Sequence, residues 1–263
     1  MTSSTETVSK QDTIDYAARL GDDAIVIGHR LSEWVSRAPF IEEDVALGNV
    51  ALDFIGHARM YYTYAAQLSN EQNSTDDITE DNFAYLRDER QFQNHLLHEL
   101  HKGDFAYSTA RQLLIDVYNK YFLEQLKKSS DETLAAIAVK AAKETNYHCR
   151  RSKSWTLRLG DGTTESHERM QLALNDIWGY SHELFELDDL EQRLVDAGVA
   201  VDCTLLKADW LKEVTAIIEE ATLTVPDQEW AVSGGRQGYH TEHLGHLLTE
   251  MQFVHRSFPG AKW

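Results

Sequence analysis

Two short stretches of this sequence pair a carboxylate with an imidazole at helical spacing. In AKETNYHCRRS, residues 142–152, Glu144 precedes His148 by four positions, and in ALDFIGHARM, residues 51–60, Asp53 precedes His57 by four. On an α-helix such residues share a face, and an oxygen and a nitrogen ligand together suit iron or zinc. Two further acids fit the scheme. Counted outward from the turn near Ser130, Asp116 and Glu144 lie about fourteen residues away on either side, and the turn at Pro39 pairs Asp23 with Asp53 in the same way. Antiparallel packing of each hairpin then brings four carboxylates to one level.

A di-iron centre in a ferritin-like bundle takes a Glu from each of two helices and Glu-x-x-His from each of the other two. Here the residue three after Asp53 is Gly56, and the residue three after Glu144 is Tyr147. The imidazoles stand one position late, a swing of about 100° around the helix axis. Two readings remain open. In one, Asp23, Asp53, His57, Asp116, Glu144 and His148 hold metal in an autonomous carboxylate-bridged di-iron oxidoreductase. In the other they form a buried polar layer neutralised by Lys140, Lys143 and Arg19, because unpaired buried charge is expensive, and His148 is hydrogen-bonded at a partner interface.

Other motifs are weaker. HTEHLGHLLTE stacks His243, His246 and Glu250 on one side of a helix but lacks His-Glu-x-x-His, so it reads as a structural helix start. SGGRQG has neither a preceding strand nor a following Gly-Lys-Ser/Thr. Arg150, Arg151, Lys153 and Arg158 flank Trp155, a basic cluster that is either a solvated face or a docking surface. No Ser-His-Asp or Cys-His set stands out.

Helices must position these residues. Apolar residues recur at threes and fours from Lys10 to Arg37, where Pro39 stops the run, and again from Ile41 to about Leu68. A crossover of some 34 residues, Asn70 to Gly103, holds short helical pieces. Two more long helices are predicted from Asp104 to about Lys128 and from Glu132 to about Leu159, with Asp131 as cap and GDG as breaker. Helices within HERMQLALNDIWGYSHELFEL, TLLKADWLKEVTAIIEEATL and HTEHLGHLLTEMQFVHRSF follow, and no strand is expected. Two hairpins joined by one long crossover predict an all-α, ferritin-like four-helix bundle with additional C-terminal helices. Residues 1–9 read as a disordered tail and 10–263 as a single helical domain.

With 43 acidic and 25 basic residues, the formal charge of −18 argues against nucleic-acid or anionic-lipid partners. Two isolated cysteines, no signal-peptide pattern and no apolar run of roughly 20 residues point to a cytoplasmic protein outside the membrane.

The blocks LGDDAIVIGHRLSEW, ALGNVALDFIGHARMYYTYAAQL, RDERQF, KETNYH, LGDGT and GYHTEHLGHLLTEMQFVHRSFPGAKW resemble the C subunits of multicomponent phenylacetyl-CoA epoxidases, the ring-1,2-epoxidases of phenylacetate degradation. The likeness spans residues 20 to 263. It implies a structural, non-catalytic subunit that stabilises a homologous catalytic A subunit, with no iron or other cofactor on this chain. Iron would sit on that catalytic partner. A flavin and iron–sulfur reductase fed by NADPH, together with a small B subunit, would complete the system. The partner contact is expected among RDERQF, the first two long helices and segment 150–158, with Arg87, Arg90, Phe92, Arg150, Arg151 and Trp155 as candidates. Taken alone, the chain is open to pairing as a homodimer. His57 and His148, beside the vacated ligand positions, are where this sequence departs from a simple loss of the site.

Overall fold

Local capping chemistry sets where the helices begin. Ser9 accepts from the Asp12 amide at 3.1 Å while Asp12 accepts from the Ser9 amide at 2.9 Å, a reciprocal cap that starts α1, Lys10–Ser32. Asp104, Asp131, Thr163 and Thr241 cap the helices that begin at Phe105, Glu132, Thr164 and Glu242, each accepting a backbone N–H that the helix cannot satisfy itself. The computed structural model describes residues 8–73, 77–227 and 230–261, so most of the expected tail lies outside the described residues.

The helices after α1 are α2 (Ile41–Gln72), α3 (Glu80–Tyr85), α4 (Leu96–Glu99), α5 (Phe105–Leu126) and α6 (Glu132–Gly160). They are followed by α7 (Thr164–Ile177), α8 (Asp189–Asp196), α9 (Lys207–Glu220) and α10 (Glu242–Ser257), and the described residues contain no strand. The fold is all-α and ferritin-like: α1 packs on α2, α5 on α6, and α2 lies against α6. Residue pairs fix the directions. Lys10 reaches Glu71, and Asp22 reaches Tyr62, so α1 and α2 are antiparallel. Glu43 pairs with Arg151 and Tyr64 with Asp131, so α2 and α6 are antiparallel as well.

Boundaries differ from the periodicity in places. α1 stops at Ser32, five residues before the predicted end. The chain then turns through Ser36 at φ 66°, and Trp34, although outside the helix, stays buried and donates to the Ser108 hydroxyl. Pro39 disfavours helical geometry in the residue before it, so the exit begins early. α2 runs four residues past Leu68, its last turn held where Asn70 exchanges two bonds with the Ile78 backbone. The segment from His167 to Leu187 divides into α7 and a 3₁₀ stretch, Trp178–Phe185.

Buried apolar side chains form a large cluster from Ile14 to Leu223 and a smaller one in which α10 and the crossover pack on the outer side of α1. Close approach is required at Gly21, where a Cβ would lie 2.3 Å from the Tyr62 ring. Among the described residues, no helix is long and apolar enough to cross a membrane.

Candidate functional site

The carboxylate–imidazole helices do meet, but their groups bond crosswise. His57 Nε2 on α2 lies 2.5 Å from Glu144 Oε2 on α6, and His148 Nε2 on α6 lies 2.9 Å from Asp53 Oδ2 on α2. The Phe54 ring stacks on His148 with centroids 5.1 Å apart and meets His57 edge-on. Both imidazoles are buried, whereas Glu144 and Asp53 remain about one-third exposed along the groove between the helices. Burial holds the His57 pKa below its ordinary range, against the opposing pull of Glu144. Asp116 on α5 is 1 % exposed and accepts from Gln112 at 2.6 Å, and burial raises its pKa. Asp116 Oδ2 and His148 Nδ1 are buried without a hydrogen-bond partner.

The fourth carboxylate is engaged elsewhere. Asp23 on α1 accepts from the His95 amide at 2.7 Å and from the Arg236 guanidinium at 2.9 Å, and His95 Nδ1 is 3.1 Å from it. Despite burial, Arg236 and the neighbouring imidazoles hold its pKa below the usual carboxylate range. Arg236 comes from the Gly-rich SGGRQG loop, whose short 3₁₀ turn buries the side chain beside Glu191 at 3.4 Å. This set does not fit a di-iron centre. The acids that would bridge two metals are bonded to the imidazoles that would ligate them, and Asp23 faces the crossover at His95 rather than this layer. Among the described residues, Asp23, His95 and His98 alone bring three donor groups within 4.8 Å of one another.

The basic groups expected to neutralise the layer do not reach it. Lys140 and Lys143 are exposed, and Arg19 bonds Asp188 at 2.6 Å with Glu191 at 3.8 Å. His57 and His148 supply the layer's hydrogen bonds in their place, because the hairpin geometry carries them inward.

Three further buried carboxylates hold the crossover and the C-terminal segment to the bundle. Asp22 accepts from Tyr62 at 2.6 Å, from the Gln93 amide at 2.8 Å and from Arg87. Glu183 accepts three backbone amides, Leu96 at 2.7 Å, Gly234 at 2.8 Å and Gly235 at 2.7 Å. Glu99 accepts from Asn94, His240 and the Thr241 amide. His240 places one ring nitrogen 2.8 Å from Glu99 and the other 2.8 Å from the Phe92 carbonyl. The Phe92 carbonyl can only accept, and against an ionised Glu99 both ring nitrogens donate, so the geometry favours the imidazolium form. Desolvation pulls its pKa down, but the Glu99 bond and charge outweigh it and raise the value above the ordinary 6.5. The stabilisation is therefore fully present below pH 6.5 and lost as pH rises through the folded-state value. Urea unfolding from pH 6 to 9 should show the gap between wild type and His240→Gln narrowing with rising pH. A gap independent of pH would refute the imidazolium assignment.

Of the six interface candidates, Phe92 is fully buried under the Arg87 guanidinium, Arg87 is bonded to Asp22, and Arg151 is bonded to Glu43 at 2.5 Å. Trp155 packs between Phe40 and Phe105. These four make contacts within the chain, and Arg90 and Arg150 are exposed. The sequence reading missed His95, His98, Glu183 and Arg236. His95-x-x-His98 was a visible signal, but it lies in the crossover, where periodicity says nothing about direction.

Helices in this arrangement, around a layer in which acids and histidines bond across α2 and α6, define a ferritin-like carboxylate protein. The chain belongs to the family described as phenylacetic acid catabolic protein, whose model matches residues 1–263. It is 46% identical over 248 residues to the C subunit of 1,2-phenylacetyl-CoA epoxidase from Escherichia coli (strain K12), covering 94% of this chain and 98% of that protein.

Proposed function

We propose that this chain is the structural, non-catalytic subunit of a phenylacetyl-CoA epoxidase, a cytoplasmic di-iron monooxygenase complex, and that it stabilises a homologous catalytic A subunit. The observations that carry this reading are the missing Glu-x-x-His on α2 and α6 and the crosswise pairing of His57 with Glu144 and of Asp53 with His148, which engages one atom of each of those side chains. The relative's designation as the C subunit of such an epoxidase supports it. In this reading iron and the acyl-CoA sit on the catalytic partner. A flavin and iron–sulfur reductase delivers electrons from NADPH, and a small B subunit completes the complex.

The contribution of this chain is mechanical. A second bundle laid on the catalytic one fixes its helices, and metal ligands depend on such outer support. The outer face of α2 is suited to the contact. Ile41, Val45 and Leu52 fall in one row and are 77%, 61% and 65% exposed, and Gly56 on the same row leaves open space above the backbone. Apolar residues this exposed at helical spacing are a liability unless covered.

Two measurements test the reading. In the reconstituted complex, His57→Gln with Glu144→Gln should leave NADPH-dependent epoxidation within about twofold of wild type. A loss of 100-fold or more would instead favour a di-iron oxidoreductase on this chain. Val45→Glu with Leu52→Glu should weaken co-purification with the catalytic partner by at least about tenfold while leaving the Tm of the isolated chain within about 2 °C, because exposed positions carry little folding stability. Unchanged co-purification would remove α2 from the interface.

A further inference from the structure

We propose that Asp23, His95 and His98 form a binding site for one divalent transition-metal ion, with ligands other than those of the paired layer between α2 and α6 and with no bearing on the structural role. One donor atom from each residue lies within 4.8 Å of the other two. The three come from separate places: Asp23 from the middle of α1, His95 from the residue before α4, and His98 from within α4. The backbone bond from His95 to Asp23 ties the two segments, so the convergence is built into the fold.

A second observation points to a ligand. His98 is 2% exposed and its Nδ1 has no hydrogen-bond partner, and His95 Nδ1, equally enclosed, makes no well-aligned hydrogen bond although Asp23 is near. A buried polar atom left unsatisfied is destabilising, and a cation placed between these two nitrogens would satisfy both. Neutral imidazole with a free lone pair is the form that ligates metal.

The surroundings match those of a metal site. Ligating carboxylates are themselves hydrogen-bonded as a rule, and Arg236 fills that role for Asp23 at 2.9 Å. Its positive charge is answered by Glu191 at 3.4 Å, which leaves the Asp23 charge available to a cation. A cavity of about 50 Å³ borders Asp23, His98 and Arg236, reaches His57 of the paired layer past Phe54 and Tyr61, and has room for a water as a further ligand. Two imidazoles and one carboxylate with an open position suit Zn(II) or Fe(II) rather than calcium or magnesium. Bonds of roughly 2.0–2.2 Å require the donor atoms to draw in by about 1 Å on binding, a movement that ring rotation supplies.

The test uses untagged full-length protein stripped with a chelator and titrated with zinc by calorimetry and with cobalt by absorption. One equivalent should bind, with a Tm that rises with metal concentration. His98→Leu should weaken binding by at least about 100-fold, and His57→Gln with Glu144→Gln should bind as wild type. X-ray absorption at the zinc edge of the zinc-loaded wild-type protein should count two imidazoles, a readout that needs no variant to fold. The proposal is overturned by no saturable binding at 100-fold excess metal over protein, by fewer than two imidazoles, or by wild-type binding in His98→Leu. It also fails if binding is lost only in the His57 and Glu144 variant, which would place the ion in the paired layer and count against the structural reading as well.

Discussion

Replacing Glu183 by Ala should lower unfolding free energy by roughly 4 kcal/mol, because three backbone amides lose their shared acceptor at once. The carboxylate is 2% exposed and accepts Leu96 on one oxygen and Gly234 and Gly235 on the other. Water cannot readily replace it, since a Cβ placed on Gly235 would already lie 2.1 Å from the Asn94 carbonyl, so the backbones there are in close contact. Glu183→Gln should recover less than half of the loss. A glutamine offers one acceptor oxygen, and its amide would face an N–H. Urea denaturation with an unchanged m-value is the measurement. A loss below about 1 kcal/mol for the alanine variant would mean that the Gly-rich loop is not anchored through this residue. Because that loop carries Arg236, the alanine variant should also weaken zinc binding at Asp23.

Asp22→Ala is expected to cost about 3–5 kcal/mol for a different reason, the stranding of a charge. Asp22 is fully buried, and Arg87, whose side chain is 16% exposed, lies over the Phe92 ring at 4.4 Å from its centroid. Removing one partner of such a pair leaves the other uncompensated in a poorly hydrated place. Coupling distinguishes this from simple loss of packing. The double variant Asp22→Ala with Arg87→Leu should be less destabilised than the sum of the singles by at least about 1 kcal/mol, while additive effects would contradict the ion-pair explanation. Tyr62→Phe, which removes only the 2.6 Å hydroxyl bond, should cost about 1 kcal/mol.

These two acids show where the amino-acid pattern stops being informative. Asp22 and Asp23 are neighbours on α1, and nothing in LGDD says that one turns toward Arg87 and Tyr62 while the other turns toward His95 and Arg236. Consecutive helical residues point about 100° apart, and the partners come from the crossover and the C-terminal loop, 65 and 213 residues away. Asp53, His57, Glu144 and His148 do come together, since those residues sit on long regular helices whose facing is set by the 3.6-residue period. The predicted layer was incomplete for Asp23, whose surroundings are supplied by irregular segments.

By itself, then, the sequence determined the helical class, the two long hairpins, the Asp131 cap and the missing Glu-x-x-His, because each rests on contacts within a few residues or on regular periodicity. The three-dimensional arrangement alone decided how buried charge is matched. Ion pairing depends on which side chains from remote segments arrive within about 3 Å, and a Gly-rich loop or a short crossover helix carries no periodic signal of its destination.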